Sequence, residues 1–289
     1  MRVQLIANPV AGQGALSLIS QAERHLQDAG AEVQLFLTAG RGDAQNFAAQ
    51  AASGGFDRIV VAGGDGTVNE VVNGMGGDSP PLAILPLGTT NVLALEIGLP
   101  RSFSAVCALA VQGTPRLIHL GLAGERRFVL MAGIGFDAAV VRGVNLGLKR
   151  LLGKGAYGVS ALGAWLWPQN RQFELVEERG QSHWGYGAIV SNARCYGGRF
   201  TMTPQASLLA DCLEVCLILR PGRLALLRAG LALLSGRTMP LPWARYFQTR
   251  RLEVRGEGVP VQLDGDDAGF LPLVLSMNPF PIRLILPAG

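Results

Sequence analysis

Histidine and cysteine are scarce in this 289-residue chain, at three and four. His25, His119 and His183 are scattered, which leaves little support for a zinc site or a histidine-based triad. Cys107, Cys195, Cys212 and Cys216 form no C-x-x-C pair, and Cys212 and Cys216 read as core thiols. Charged residues make up only 16%, and the net charge of +4 is dispersed. That is too weak to argue for nucleic acid, and it is compatible with anionic lipid or nucleotide. The longest strongly apolar stretch, residues 224–234, is interrupted by Arg228 and too short to cross a bilayer. Met1, Arg2 and Val3 lead straight into a strand, so no signal peptide is expected and the chain reads as cytoplasmic, soluble or peripheral. There is no internal repeat and no low-complexity linker. What is abundant is apolar residues, 49% of the chain, enough for a sizeable core in one large or two ordinary domains.

The most informative stretch is residues 60–74, V-V-A-G-G-D-G-T-V-N-E-V-V-N-G. Before it, residues 56–62 form a short β-branched apolar run that predicts a buried strand. After it, Val68, Val71, Val72 and Met75 recur at helical spacing, with Thr67 as the expected N-cap. Gly63, Gly64, Asp65 and Gly66 are therefore expected to turn between strand and helix. Three glycines let a ligand approach the backbone with no Cβ in the way. The start of the helix presents N–H groups and a positive dipole end, which suits phosphate. A carboxylate there repels phosphate unless Mg²⁺ lies between them, and this gives Asp65 a role. No Lys-Ser or Lys-Thr follows, so this is not a Walker loop, and the spacing is not G-x-G-x-x-G. The competing reading is a tight structural turn in which Asp65 serves as a cap.

In the first half, strands are expected at 3–7, 33–37, 56–62 and 82–85, with helices at 15–29, 43–52 (capped by Asp43), 92–96 and 103–111. This alternation predicts a doubly wound parallel sheet, with ligands at the carboxyl ends of the strands. Four polar or glycine-rich loops fall at those ends: 8–14, 38–42, 63–67 and 88–91. From about Pro115 the pattern changes to strands at 116–122, 128–132, 173–178, 186–191, 212–219, 252–255, 261–263, 273–276 and 282–286. Residues 133–137 are expected to turn, and a small-residue helix is expected at 157–167. A boundary near Gly113 to Pro115 divides an α/β domain (1–114) from a mostly antiparallel, β-rich one (115–289).

The blocks Asn8-Pro9 with Gly12 and Gly14, Gly63-Gly64-Asp65-Gly66-Thr67 with Asn69-Glu70, and Pro86-Leu87-Gly88-Thr89-Thr90-Asn91 resemble those of diacylglycerol-kinase-like lipid kinases. So do Gly133-Ile134-Gly135-Phe136-Asp137, Gly197-Gly198, residues 208–213 and Leu263-Asp264-Gly265-Asp266, so the resemblance covers nearly the whole chain. Gly-Gly-Asp-Gly alone is shared with NAD kinases. The resemblance implies a NAD-kinase-like first domain and a second domain that completes the site and binds lipid. It implies ATP in the interdomain crevice, at Asn8, Thr38, Gly63, Gly64, Asp65, Gly66, Thr67, Val68, Asn69, Gly88, Thr89 and Asn91. It gives Asp65 the catalytic Mg²⁺. It makes Asp264 or Asp266 the base toward a lipid hydroxyl, Asp266 standing at the family's glutamate position. Asp-Gly is also a common hairpin turn. Leu208, Asp211 and Leu213 match a structural Mg²⁺ site of bacterial members, or else Asp211 merely starts a strand. Val92 stands where the family has a second acid, and Cys212 where it has glycine.

The implied substrate is a lipid alcohol such as diacylglycerol, a sphingoid base or phosphatidylglycerol. The alternatives are a NAD-kinase-like enzyme for a soluble substrate and a nucleotide- or lipid-binding protein with weak catalysis. Peripheral membrane contact is expected from leucine-rich residues 222–237 with Arg223, Arg228 and Arg237. Trp243, Arg245, Tyr246, Phe247, Arg250 and Arg251 follow, and Trp165 and Trp167 fit either a membrane face or a core. A core helix with a cationic rim is the other reading of that segment. Monomer and homodimer are both left open.

Overall fold

The computed structural model describes residues 1–143, 171–198, 200–220 and 243–287. The helix expected at 157–167 and the leucine-rich segment 222–237 lie outside the described residues. The chain divides into two compact units, Met1–Leu120 with Pro279–Gly289, and Gly121–Asn278.

In the first unit, β1 (Arg2–Ala7), α1 (Ala15–Asp28), β2 (Glu32–Leu37), α2 (Asp43–Ala49) and β3 (Arg58–Gly63) alternate. They are followed by α3 (Asp65–Gly74), β4 (Leu82–Pro86), α4 (Val92–Glu96), α5 (Phe103–Gln112) and β5 (Pro115–Ile118). The last strand of the chain, β20 (Ile282–Ile285), returns to complete a sheet of order β2-β1-β3-β4-β20-β5. All pairs are parallel except β20 with β5. Both β5 and β20 lie beyond residue 114 and yet belong to this sheet. β3 is buried at every position, as befits a parallel strand covered on both faces. Val3, Leu5 and Ala7 alternate toward a core with Ile19, Ala22 and Leu26 of α1 and Val106, Cys107 and Ala110 of α5. On the other face Gln4 donates from Nε2 to the Phe47 carbonyl of α2 at 2.9 Å. Helices on both faces make the sheet doubly wound.

The second unit holds β6 (Gly121–Ala123), β7 (Arg126–Phe128), β8 (Met131–Gly135), α6 (Phe136–Gly143), β9 (Phe173–Glu177), β10 (Ser182–Gly185) and β11 (Gly187–Ser191). It continues with β12 (Cys195–Tyr196), β13 (Phe200–Thr201), β14 (Leu213–Ile218), β15 (Ala244–Thr249), β16 (Arg251–Arg255), β17 (Pro260–Leu263), β18 (Asp266–Phe270) and β19 (Leu273–Met277). Two antiparallel six-stranded sheets, β10-β9-β16-β19-β6-β7 and β15-β14-β11-β8-β17-β18, share one core. Phe173, Leu175, Leu252, Val254 and Leu275 come from the first sheet, and Ile134, Val190, Val215, Leu217 and Val261 from the second. Alternation is plain in β16, where Leu252 and Val254 are buried between exposed arginines and Glu253.

Several local expectations change. The strand expected at 116–122 is two strands in different sheets, β5 and β6. Residues 133–137 are not a turn: Gly133 and Gly135 lie in β8, and Phe136 and Asp137 open α6. Thr67 does not cap its helix. Gly64, in extended backbone, is the N-cap, and α3 begins at Asp65. The reason is local, because the Thr67 side chain closes over Gly63, where a Cβ would lie 2.7 Å from it. Asp43 likewise is the first residue of α2 and follows Gly42, its N-cap. Strand β14 starts at Leu213, not at Cys212.

Candidate active site

In the first unit, β1, β3 and β4 end side by side, with Ala7 opposite Ala62 and Gly63 opposite Pro86. Backbone bonds carry the ladder on into the loops: Asn8 N–H donates to Ala62 O, Thr38 N–H to Ala7 O and Leu87 N–H to Gly63 O, each at 2.9 Å. Asn8 then reaches across, donating from Nδ2 to Thr67 Oγ1 at 3.2 Å. A Cβ on Gly88 would lie 2.6 Å from Gly64 Cα and 2.7 Å from Asn91 Oδ1, so the two glycine loops touch backbone to backbone. Glu70 accepts the Gly42 N–H at 3.0 Å and holds the 38–42 loop against α3.

Asp65 faces α4. Its Oδ2 accepts the Val92 N–H at 3.0 Å and its Oδ1 accepts the Leu93 N–H at 3.1 Å, two of the donors a helix start leaves without intrahelical partners. Asp65 is thus a cap, but of the neighbouring helix. An ionised carboxylate has about four lone-pair sites, so two remain for a cation or water. Gly66 is exposed at the first turn of α3, Thr89 is exposed in the loop after β4, and Asn91 takes left-handed backbone (φ 49°) as the N-cap of α4. Asn91 Nδ2 donates to Gly88 O at 2.6 Å, while its buried Oδ1 has no hydrogen-bond partner. Val68 is set apart from this edge: its side chain is buried and its N–H donates to Gly64 O at 3.1 Å. Asn69 is buried too, and its carbonyl accepts Asn73 Nδ2 at 2.9 Å. Neither position was separable from its neighbours by motif alone.

In the second unit, Asp264 and Gly265 form the two-residue turn between β17 and β18, both with positive φ (51° and 88°), the geometry in which Asp-Gly is favoured. The Asp264 carboxylate accepts three consecutive backbone N–H groups, Val129 at 2.7 Å, Leu130 at 2.8 Å and Met131 at 2.9 Å. Asp266 opens β18 half-exposed, with its Oδ2 3.1 Å from Arg126. Two participants carried no sequence signal of their own. Arg126 lies 140 residues from its partner, and Gln262 is a buried polar residue inside an apolar strand.

Asp211 pairs with Arg250 at 2.7 Å. Leu208 and Leu213 are buried beside it in sequence. Both side chains of this pair are open to solvent, 63% exposed for Arg250 and 37% for Asp211. Among the described residues no group of three or more His, Cys, Asp or Glu side chains could hold a metal ion. An ion at Asp65 would therefore rest on one carboxylate together with backbone, water or phosphate oxygens, a set Mg²⁺ accepts. Of the expected aromatic edge, Phe247 packs on the core and on the His183 ring, 4.7 Å between centroids, whereas Arg245 and Arg251 stay exposed. Among the described residues no helix is long and apolar enough to cross a membrane.

Residues 2–123 match the diacylglycerol kinase catalytic domain family, and residues 131–286 match the YegS C-terminal NAD kinase beta sandwich-like domain. The "probable lipid kinase YegS-like" protein of Pseudomonas putida is 32% identical over 94% of this chain and 91% of its own. The diacylglycerol kinase of Bacillus subtilis is 30% identical over the same shares, 94% and 91%. The crystal structure of a diacylglycerol kinase from Bacillus anthracis superposes with a TM-score of 0.76 at 20% identity, over 99% of this chain and 96% of that one. Another from the same organism reaches 0.82 at 23% identity, with the same coverage, and both show the likeness of fold. The chain belongs to the diacylglycerol-kinase-like lipid kinase family, phosphotransferases with an alcohol group as acceptor.

Proposed function

We propose that this lipid kinase takes ATP as donor with Mg²⁺, and passes the γ-phosphate to the hydroxyl of a lipid such as diacylglycerol, a sphingoid base or phosphatidylglycerol. The observation that carries the donor side is the glycine-to-glycine contact of the 63–66 and 88–91 loops, with Asp65 between two helix starts. Gly64 and Gly88 let the two loops meet, Gly66 leaves its backbone exposed, and the first turn of α3 offers N–H groups to phosphate oxygens. Asn8 and Thr67 hold the loops in place. Thr38, Thr89 and Asn91 add polar atoms at the same strand ends. Asp65 would hold the Mg²⁺, which supplies charge neutralisation between carboxylate and phosphate.

On the acceptor side Asp266 is the better base of the two. Both oxygens of Asp264 are engaged by backbone N–H groups, so that side chain acts as an anchor. Asp266 is half-exposed at the start of β18 beside Arg126, where its carboxylate can meet a hydroxyl arriving from solvent. Positioning and charge suffice for this reaction, so no covalent enzyme intermediate is required. Approach to a bilayer is part of the proposal, with exposed Arg245 and Arg251 meeting lipid phosphates.

The test offers γ-labelled ATP with a panel of lipid alcohols to the wild type, Asp65→Ala and Asp266→Ala. Label is expected in a lipid with wild type alone. Label in NAD and none in lipid, or ATP bound with no transfer to any acceptor, would overturn the reading.

A further inference from the structure

Asp137 stands 127 positions before the turn at residues 264–265, yet the two are joined by two side-chain hydrogen bonds. Its Oδ2 accepts Gln262 Nε2 at 2.7 Å, and Gln262 Oε1 accepts the Gly265 N–H at 2.7 Å. Its Oδ1 accepts the Tyr196 hydroxyl. Gln262 is 2% exposed, so its amide can turn only at the cost of a buried unpaired group. A carboxylate only accepts, so Asp137 forces the NH₂ end of Gln262 toward itself and the carbonyl end toward Gly265. Gly133 makes room for this: a Cβ there would collide with Asp137 Oδ2 and lie 2.6 Å from Gln262 Nε2. This close approach explains a glycine in the middle of β8, directly opposite Gln262 in the sheet.

We infer that Asp137 and Gln262 are positioning residues for the acceptor side. Asp264, tied to three backbone amides, fixes one residue of the turn, and Gln262, oriented by Asp137, fixes the other. Together they set where Asp266 enters β18. The inference rests on the reading of Asp266 as the base. A turn residue displaced by about 1 Å can cost on the order of 10²-fold in rate.

The experiment measures kcat and the KM for ATP for Gln262→Leu, Gly133→Ala, Asp137→Ala and Asp137→Asn beside Asp266→Asn, together with the melting temperature of each. Asp137→Asn can still present an oxygen to Gln262, so it is expected to restore most of what Asp137→Ala loses. Gln262→Leu, Gly133→Ala and Asp137→Ala are expected to lower kcat about 100-fold with KM for ATP within about two-fold. Asp266→Asn should lose at least as much as any of them. Wild-type kcat in folded Gln262→Leu, with Asp266→Asn inactive, overturns the positioning role and leaves the base assignment standing. Full activity in Asp266→Asn overturns the base assignment instead. Equal loss in Asp137→Asn and Asp137→Ala, with Gln262→Leu unaffected, also overturns the inference, because Asp137 would then act by its charge. If Gln262→Leu melts too low to assay, the kcat that Asp137→Asn recovers over Asp137→Ala carries the same prediction, and equal kcat in those two overturns the inference.

Discussion

Two aspartates, one in each unit, do the same structural job by different routes. Asp65 takes two consecutive backbone N–H groups, from Val92 and Leu93, and Asp264 takes three, from Val129, Leu130 and Met131. Asp65 reaches across neighbouring loops of a parallel sheet, 27 and 28 residues along the chain. Asp264 reaches across an antiparallel sheet, over separations of 133 to 135 residues. The difference lies in what remains. Asp65 keeps lone pairs for an ion and can serve as anchor and ligand at once. Asp264 is committed to the backbone, and the neighbouring Asp266 is the residue we propose as base. A carboxylate in a motif can therefore be structural, chemical or both, and only its hydrogen-bond partners tell which.

The largest effect is expected at Asp65. Asp65→Asn keeps an acceptor for α4 but loses the charge, so activity should fall about 10³-fold with a near-native melting temperature. Asp65→Ala should lose the same activity and also about 1 kcal/mol of stability. Equal melting temperatures for the two would break the comparison, because Asp65 would then not be an anchor.

The second contrast is Asp264 against Asp266. Asp266→Ala should cost about 10²–10⁴ in kcat with little change in denaturant midpoint, since its ion pair with Arg126 is half-exposed. Asp264→Ala should instead destabilise by about 3 kcal/mol or more, through three lost charge-assisted bonds. Chemical denaturation followed by steady-state kinetics separates them. A stable but inactive Asp264→Ala would transfer the role of base to it.

A smaller effect is expected at Gly88→Ala, whose Cβ would press on Gly64 Cα. The glycine loops should part, raising KM for ATP about tenfold with kcat less affected. Unchanged KM would remove the donor site from that contact.

The smallest effect is a pH dependence. Burial pushes the Asp137 carboxyl above its ordinary range, while the Tyr196 and Gln262 hydrogen bonds pull it down. The folded state thus holds this proton more tightly than the unfolded chain, where Asp titrates near about 3.9. The contribution is fully present below that value and is lost as pH rises through the higher folded value. Urea unfolding across acidic pH should show Asp137→Asn with a shallower decline than the wild type. Glu214, raised by burial in the same direction, leaves part of the slope in place. Identical slopes would show that Asp137 does not titrate differently on folding.

Much of the first unit was legible because its signals are local. Apolar runs at residues 56–62 and 82–85, each followed by glycine and a helical period, sufficed to place β3, β4 and the loops after them. The misreading of Thr67 as a cap shows the limit, since a threonine at a helix start and one closing over a glycine look alike in sequence. The second unit was harder. Alternation marks most of its strands but not β10, β12, β13, β15 or β18, and two glycines make Gly133 to Asp137 look like a turn. Glycine inside β8 answers to a carboxylate folded over it, and nothing adjacent in sequence reports that.

By itself, then, the sequence determined the class of sheet in each half and the phosphate-suited loops, because periodicity, backbone freedom and helix starts are properties of consecutive residues. Tertiary structure decided that Asp65 and Asp264 are anchored by backbone N–H groups. It also decided that β20 joins the first sheet and that Gln262 ties Asp137 to the 264–265 turn. Hydrogen bonds act over about 3 Å of space, and strand register alone brings residues more than 100 positions apart to that distance.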